Sequence, residues 1–236
     1  MDIKMYKSQD KEDVILESLY RSIPDMNTIV EIGASHPEEI SNSWYVINRL
    51  NFNALLIESD KCKHDIIYEY YKNNSKVSVK NQMITSDNIN DTLNFYKYVI
   101  KKDIDIVSID IDGEDYNVWE AIGDKSIKVF IIEFNPTIHP DLSINQNNTN
   151  YRFGASYTSL VELGNKKGYT LIACTKCNCI FIENSYLDKI ENFDFSFNKK
   201  FSLYPIANYD GRLLFYRNGN IFENNNSMSI DELFYK

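Results

Sequence analysis

The sequence lacks the features that would tie it to a membrane or to nucleic acid. No apolar run reaches the roughly 18 residues of a membrane span, and Met1-Asp2-Ile3-Lys4 lacks the apolar core of a signal peptide. Basic residues are outnumbered, with 25 Lys and Arg against 34 Asp and Glu, so the net charge is −9. Because nucleic-acid affinity depends on Lys and Arg that neutralise phosphates, we predict no nucleic-acid partner. We expect a cytoplasmic protein that acts on a small molecule.

Glycine is also scarce, with eight residues in a chain of 236. Residues 28–35 form an apolar segment that runs into a glycine, which is typical of the first strand of a nucleotide-binding sheet. Gly33, however, stands alone where the dinucleotide fingerprint has three glycines. A pyrophosphate site is therefore poorly supported, which weakens the alternative of an NAD-dependent sugar oxidoreductase. A cofactor without phosphate, such as S-adenosylmethionine, fits the single glycine better.

Cysteine is limited to four residues: Cys62 alone, and Cys174, Cys177 and Cys179 in a C-x2-C-x-C pattern. A closed structural zinc site takes four thiolate or imidazole ligands, so a fourth ligand would have to come from a distant part of the chain. We therefore interpret the three clustered cysteines as small core residues of a strand region, residues 169–183.

The chain does contain a regular alternation of apolar strand-like segments and amphipathic helical segments. With 236 residues and 43% hydrophobic composition, it can bury one sizeable core. Strands that alternate with helices predict an α/β fold with a doubly wound, Rossmann-like parallel sheet. The predicted strands are 28–35, 54–58, 77–84, 104–110, 128–136, 169–175 and 180–182. The predicted helices are 8–20, 41–50, 65–71, 91–101 and 155–167, with a further helix directly after a turn at Gly113 that carries Tyr116, Trp119, Ala121 and Ile122 on one side.

Polar side chains stand at the carboxyl ends of the first three strands, which is the edge where open α/β sheets bind ligands. Glu58 follows the second strand, where a carboxylate commonly accepts hydrogen bonds from the ribose hydroxyls of an adenosine. Asp87 follows the third strand, where it would face the adenine or lie in a solvated loop. The predicted cofactor-binding residues are Glu31, Gly33, Ser35, Glu58, Ser59, Asp87 and Asp110.

Oxygen-bearing side chains also follow the fourth and fifth strands. Asp110 and Asp112 end the fourth strand, and Glu133 and Asn135 end the fifth. Because these strands are neighbours in a doubly wound sheet, we predict that the four side chains converge on a metal site. Carboxylate and amide oxygens are the ligands that suit Mg²⁺ or Mn²⁺. The alternative is that Glu133 or Asp112 points into a helix cap or into the turn at Gly113.

Two residues are candidates for the catalytic step. Asp112 would act through a bound divalent ion. His139 lies four residues beyond Asn135 on a polar loop, and it would act as a general base because imidazole has an ordinary pKa near neutrality. The alternative for His139 is a loop residue that caps a turn or faces solvent. We favour the metal, because its ligands lie on strand ends that the fold fixes.

The C-terminal residues 184–236 differ in character from the rest of the chain. Aromatic residues are dense, and residues 213–222 predict a β-hairpin with Asn218-Gly219 at its turn. We predict that residues 1–183 form the main domain. Residues 184–236 would be an aromatic-rich extension packed on the same domain, as a cap or as a homo-oligomer contact.

Several of these segments form a combination that is typical of one enzyme family. The segments are Ser8-Gln9-x3-Asp13, Glu31-Ile32-Gly33-Ala34, Leu56-Ile57-Glu58, Ser108-Ile109-Asp110-Ile111-Asp112-Gly113-x-Asp115-Tyr116-x2-Trp119, Ile132-Glu133-x-Asn135-Pro136, Gly154-Ala155-Ser156 and Lys167-Gly168-Tyr169. Together they resemble the FkbM-like methyltransferases, over roughly residues 8–183. The chain departs from that family at Ser35-His36-Pro37, which leaves open how the cofactor's amino-acid end is held.

The resemblance implies the class I methyltransferase fold and S-adenosylmethionine as the cofactor. It further implies O-methylation of a sugar, a nucleotide sugar or a related small metabolite in surface glycan biosynthesis. A relative that has lost activity and serves as a binding or scaffold protein is the alternative. Such a scaffold would have no reason to keep acids at the ends of strands one, two, four and five together.

Overall fold

The structure is a computed structural model that describes residues 6–138, 140, 142–145 and 154–190, together with the backbone of three short strands between residues 206 and 223. Residues 6–190 contain six α-helices among the described positions, one 3-10 helix and a seven-stranded sheet. The strands in chain order are β1 (Thr28–Ile32), β2 (Asn53–Glu58), β3 (Val77–Asn81), β4 (Ile106–Ile109), β5 (Val129–Glu133), β6 (Tyr169–Cys174) and β7 (Asn178–Glu183).

The sheet order is β3-β2-β1-β4-β5-β7-β6. The first five strands pair in parallel, and β7 is inserted antiparallel between β5 and β6. The predicted doubly wound, Rossmann-like α/β fold is therefore confirmed. The chain winds outward from β1 to β3 and then returns to place β4 on the other side of β1. A ligand crevice is expected at such a reversal, beyond the carboxyl ends of β1 and β4.

Helices cover both faces of the sheet. One buried cluster joins Ile29, Leu56 and Ile131 to the first three helices, and the other joins Val30 and Val107 to the last three. Burial of both faces explains why the central strands are almost continuously apolar. The helices are α1 (Glu12–Ser22), α2 (Trp44–Asn48), α3 (Lys61–Tyr71), α4 (Ile89–Ile100), α5 (Asp115–Ala121) and α6 (Tyr157–Lys167), followed by a 3-10 helix at Asn184–Lys189.

The starts of the first and third helices lie four residues from the predicted ones, and aspartate side chains explain both shifts. The first helix was predicted from Ser8, but it begins at Glu12 because the Asp13 carboxylate accepts hydrogen bonds from the backbone N–H and the hydroxyl of Ser8 and holds that residue in the preceding loop. The third helix was predicted from residue 65, but it begins at Lys61. There Asp60 caps the helix by accepting hydrogen bonds from the next amides.

A separate small sheet follows in the C-terminal part, made of β8 (Ile206–Ala207), β9 (Leu213–Arg217) and β10 (Asn220–Glu223). β9 and β10 pair antiparallel with Arg217 opposite Asn220, as the predicted hairpin requires. The predicted turn at Asn218-Gly219 lies outside the described residues. The role of this region as a cap or an oligomer contact stays a prediction. No helix in the described part of the chain has the length and apolar character to cross a membrane.

A glycine in α6 generates a test of the core packing. A Cβ at Gly164 would lie 2.8 Å and 2.9 Å from ring atoms of the buried Phe181 and 3.1 Å from Trp119. We expect Gly164→Ala to lower the free energy of unfolding by about 1–3 kcal/mol despite alanine's better helix propensity, because the two packed rings have no free space to move into. Denaturant unfolding measures this. Gly123→Ala is the control, since its nearest atom is 3.9 Å away. Equal stability of the two variants would contradict the packing.

Candidate active site

The ends of β1, β4 and β5 bring polar side chains to the crevice. In register, Ile32 lies beside Ile109, and Ile109 lies beside Ile132, so the residues that follow them emerge at adjacent positions. Glu31 and Ser108 also lie side by side, two positions before Gly33 and Asp110. Because side chains two apart on a strand share a face, these polar groups gather on the face that α1, α2 and α3 cover.

The ends of β1 and β4 approach each other so closely that only glycine fits between them. Gly33 has φ 84°, and a Cβ built on it would lie 1.7 Å from the backbone oxygen of Asp110. The Asp110 amide also donates to the Ile32 carbonyl at 3.0 Å, which extends the strand pairing into the turn. Gly33 therefore serves the close packing of the two turns that border the crevice.

Three of the four predicted metal ligands lie together. Asp110, Asp112 and Glu133 each offer a carboxylate oxygen within 4.8 Å of the others. Burial and the charge of Asp112 raise the pKa of Asp110 to about 6, although a hydrogen bond with Glu133 and the charge of Lys63 lower it. Carboxylates at this separation repel each other unless a proton or a cation neutralises them. The cluster can therefore hold either a shared proton or a divalent ion.

The fourth predicted ligand, Asn135, is buried and engaged in the turn after β5. Its Oδ1 accepts hydrogen bonds from the Thr137 amide at 2.9 Å and from the Thr137 hydroxyl at 2.6 Å. An amide oxygen has two acceptor sites, so both are in use in this arrangement. His139, the predicted base on the same loop, lies outside the described residues.

Glu31 was predicted to bind the cofactor, and in the structure its carboxylate holds the loop between β1 and α2. One oxygen accepts from the Asn42 amide at 2.8 Å, and the other accepts from the hydroxyls of Ser41 and Ser43. Burial raises the pKa of Glu31 to about 7, while these hydrogen bonds oppose the rise. The Asn42 side chain in turn donates to Ser108, which ties the loop to β4. Glu31 thus positions the loop over the crevice.

Glu58 occupies the place predicted for the ribose-binding acid. Its Oε2 accepts from the Ser35 amide at 2.9 Å, and its Oε1 accepts from the Asp60 amide at 2.7 Å. The Ser59 hydroxyl lies 3.5 Å from the same Oε1. Oε2 has a second acceptor site, and the contact from Ser59 to Oε1 is long enough to be exchanged for one from a ligand, so Glu58 can still accept hydrogen bonds from a ligand. It joins the turn after β1 to the turn after β2.

Two non-glycine residues at this edge have left-handed backbones. Ser35 has φ 48° after β1, and Asp112 has φ 56° after β4. Such conformations are costly for residues with a Cβ and persist where the surroundings hold them, commonly at functional sites. Asp115 stabilises the turn after β4, because its buried carboxylate accepts hydrogen bonds from the amides of Ile111 and Gly113, both at 2.9 Å. Burial raises the pKa of Asp115 to about 7, against the effect of these two amides.

The start of α1 closes the far side of the crevice. Glu12 is fully buried, and its Oε1 accepts from the side-chain amide of Asn178 at 3.0 Å and from the hydroxyl of Thr175. Asn178 lies opposite Glu133 in the sheet, and the charge of Glu12 contributes to the raised pKa of Asp110. The sequence analysis did not select Glu12, Asn178 or Lys63, which lies on α3 and donates a hydrogen bond to Ser35. An aspartate cap at Asp60 was the available signal for the start of α3.

The remaining predicted and rejected candidates lie away from the cluster. Asp87 is exposed in the turn before α4. His36 accepts from the Glu39 amide at 3.0 Å through Nδ1, which makes it a turn-capping residue, and His64 lies beside Asp65 on α3. The clustered cysteines lie in the β6–β7 hairpin, where Cys179 is fully buried.

Comparison with known proteins gives matches in structure alone. No family model matches the sequence, and no curated protein matches it. The N-terminal domain of EvdMO1 with SAH bound is similar at 12% identity and TM-score 0.48, over 75% of this chain and 82% of that one. Monomeric WbdD is similar at 11% identity and TM-score 0.46, over 74% and 41%. A putative caffeoyl-CoA O-methyltransferase from Staphylococcus aureus is similar at 13% identity and TM-score 0.45, over 77% and 88%.

A likeness at this level of identity and TM-score assigns neither a substrate nor an activity. The chain covers 41% of WbdD, so the remainder of that protein has no counterpart in the comparison. The functional argument therefore rests on the crevice and its side chains.

The buried Glu31 generates a test by pH. Its pKa rises from 4.5 to about 7 on folding, so the folded protein holds a proton between these values that the unfolded chain releases. The contribution of Glu31 to stability is therefore largest below pH 4.5 and is lost as the pH rises through 7. Glu31→Gln stays neutral at every pH. We therefore expect the unfolding free energy of this variant, taken relative to that of the unmodified protein, to increase by on the order of 3 kcal/mol as the pH rises from 4.5 to 8.

Chemical denaturation at pH 4.5, 6 and 8 measures the difference. Glu39→Gln, a change at an exposed position, is the control and should follow the profile of the unmodified protein. A Glu31→Gln profile parallel to that of the unmodified protein would show that Glu31 does not titrate differently in the folded state.

Proposed function

We propose that the protein is an S-adenosylmethionine-dependent methyltransferase. The observation that carries the proposal is the arrangement around Glu58: an acid at the end of β2 tied to the turn after β1, beside a crevice whose next strands present a carboxylate cluster. An adenosine with its ribose at Glu58 would extend across β1 toward Asp110. A reactive group on C5′ of the ribose would then lie near Asp110, Asp112 and Glu133, the one cluster suited to a metal among the described residues.

The turn after β1 also argues against a phosphate-containing cofactor. A pyrophosphate binds to free amides at the start of the helix that follows this turn. In this chain the amides of Gly33 and Ala34 donate to Ile57, and the amide of Ser35 donates to Glu58. The next helix, α2, begins only at Trp44. This turn therefore suits a cofactor without phosphate, which supports S-adenosylmethionine over NAD.

We further propose that the acceptor is a hydroxyl of a sugar, a nucleotide sugar or a related small metabolite, as the resemblance to the FkbM-like methyltransferases implies. Methyl transfer from a sulfonium is an in-line displacement, so the acceptor oxygen must be aligned with the methyl group and must lose its proton. With the ribose at Glu58, the carboxylate cluster would lie close to that oxygen. Asp112 is its exposed member and is the first of the three that a substrate would meet.

A divalent ion fits the cluster. Oxygen ligands of Mg²⁺ lie about 2.1 Å from the ion, so ligands on opposite sides are about 4 Å apart. The three carboxylate oxygens lie within 4.8 Å of one another, which is compatible with this spacing after a small movement. Asp110, Asp112 and Glu133 would hold the ion, and Asn135 would join them only by releasing Thr137. A bound ion lowers the pKa of a coordinated hydroxyl. His139 remains the alternative base, as a prediction from the sequence.

The ribose assignment is tested by binding. We expect S-adenosylhomocysteine to bind the unmodified protein, and Glu58→Gln to weaken it at least about tenfold, because a charge-assisted hydrogen bond to each hydroxyl contributes about 1.5–3 kcal/mol. Calorimetry with S-adenosylhomocysteine and with its 2′,3′-dideoxy analogue distinguishes the loss of the hydrogen bonds to the ribose from a general disturbance of the site. The analogue should bind both proteins with equal, weak affinity.

Glu69→Gln, on the exposed face of α3, is the matched control and should bind like the unmodified protein. Absence of any binding of S-adenosylhomocysteine at high protein concentration would end the methyltransferase proposal and favour the scaffold alternative. Equal affinity of Glu58→Gln for the full ligand would refute the ribose assignment alone.

The metal assignment is tested with Mn²⁺. We expect the unmodified protein to bind Mn²⁺, and Asp112→Asn to weaken that binding at least about tenfold, since even residues that only support metal ligands commonly cost 10–100-fold. Electron paramagnetic resonance measures free Mn²⁺ directly. Glu114→Gln is the control and should bind Mn²⁺ like the unmodified protein, because Glu114 accepts a hydrogen bond from Asn117 and lies outside the cluster.

Turnover then separates the two mechanisms. If the ion activates the acceptor, chelation and Asp112→Asn should both abolish methyl transfer, and His139→Ala should have a milder effect. Full activity in excess chelator, together with a loss of about 10²-fold or more in kcat for His139→Ala, would exclude the metal and identify the histidine as the base.

A further inference from the structure

The first turn of α3 places one lysine at the edge of the crevice. The Lys63 ammonium donates a hydrogen bond to the Ser35 hydroxyl at 3.2 Å, across from α3 to the turn after β1. Asp60 fixes the position of this turn, because its carboxylate accepts from the Lys63 amide. The side chain of Lys63 is exposed, so a ligand can reach the ammonium.

Lys63 lies between the two acidic parts of the crevice. Ser35, which it contacts, is bonded through its amide to Glu58 at the end of β2. On the other side of β1, Asp110 follows β4, whose last residue, Ile109, pairs with Ile32. The hydrogen bond to Ser35 therefore holds the ammonium at the turn after β1, the strand that lies between β2, which ends in Glu58, and β4, which Asp110 follows.

Two nearby lysines form ion pairs with carboxylates, whereas the ammonium of Lys63 can still bind an anionic ligand. Lys61 pairs with Asp65, and Lys7 pairs with Glu38. Within the described part of the chain Lys63 forms no ion pair, and its one hydrogen-bond partner is a neutral hydroxyl. A cation beside an acidic crevice in a protein of net charge −9 is suited to a ligand that carries a negative group.

The proposed cofactor carries such a group at the right place. With its ribose at Glu58 and its methyl group toward Asp110, the amino-acid part would extend over β1, where Lys63 lies. That part is a zwitterion, and the crevice offers it both an ammonium and carboxylates. Building on the proposed function, we propose that Lys63 binds the α-carboxylate of S-adenosylmethionine. It fills the role that the departure at Ser35-His36-Pro37 leaves open.

A purely structural role for Lys63 is separable from this one. If Lys63 only stabilised the turn at Ser35, its loss would weaken every ligand that occupies the crevice. If it binds the α-carboxylate, its loss would weaken only ligands that possess an amino-acid part. S-Adenosylhomocysteine and 5′-methylthioadenosine differ in this way, since both contain the thioether-linked adenosine and only the first contains the amino acid.

The experiment is calorimetry of the full chain with these two compounds. We expect Lys63→Met to weaken S-adenosylhomocysteine about 10- to 100-fold, as the loss of a charged hydrogen bond does, and to leave the affinity for 5′-methylthioadenosine within about twofold. Lys63→Arg should retain most of the affinity because it keeps the charge. Lys61→Met, on the same exposed turn, is the matched control and should bind both compounds like the unmodified protein.

The possible results differ for the two proposals. If the unmodified protein binds S-adenosylhomocysteine and Lys63→Met binds it equally well, or loses both compounds to the same extent, the assignment of Lys63 is overturned and the proposed function stands. If the unmodified protein binds neither compound, the proposed function fails and the assignment fails with it. Thermal unfolding of each variant verifies that the exposed substitutions leave the fold intact.

Discussion

The close approach of β1 and β4 is the constraint on which the candidate site depends. A Cβ on Gly33 would overlap the Asp110 backbone oxygen at 1.7 Å, so the two turns can pack together only around a glycine. This contact brings the turn that carries Ser35 against the turn that carries Asp112. The part of the crevice at Glu58 and the part at the carboxylate cluster therefore belong to one surface. A larger residue at Gly33 would separate them and widen the sheet at its point of reversal.

Buried acids at this edge serve two different purposes. Glu31 and Asp115 hold backbone turns, because their carboxylates are buried and accept hydrogen bonds from neighbouring amides or hydroxyls. Burial raises the pKa of each to about 7, which reflects the free energy of keeping a charge out of water. Asp110, Asp112 and Glu133 instead lie together as a carboxylate cluster at the ends of β4 and β5. The rigid turns explain how an open edge can hold three carboxylates close together.

Sequence patterns predicted the parts of this structure that depend on strand order. The apolar runs identified the strands, and the rule that parallel strands end at one edge predicted that Asp110, Asp112 and Glu133 would lie together, as they do. Side-chain direction was not predictable in the same way. Whether Glu31 points into the crevice or into the loop above it depends on the path of residues 35–43, which no periodicity encodes.

The left-handed backbone of Ser35 illustrates the same limit, since a serine in the sequence does not indicate a φ of 48°. Lys63 was missed for a related reason. Its contact with Ser35 requires α3 to begin at Lys61, four residues before the predicted start, and the capping by Asp60 that causes this was not recognised. Local side-chain to backbone bonds thus decided the details that hydrophobic patterning leaves undetermined.

A crystal structure of the protein with S-adenosylhomocysteine bound is the most direct test of the central claim. The account predicts that both ribose hydroxyls lie within hydrogen-bonding distance of Glu58, and that the amino-acid part crosses the end of β1. The sulfur should lie nearer to Asp110 than to any residue of β2. A ligand bound at another edge of the sheet, or a ribose turned away from Glu58, would contradict the account.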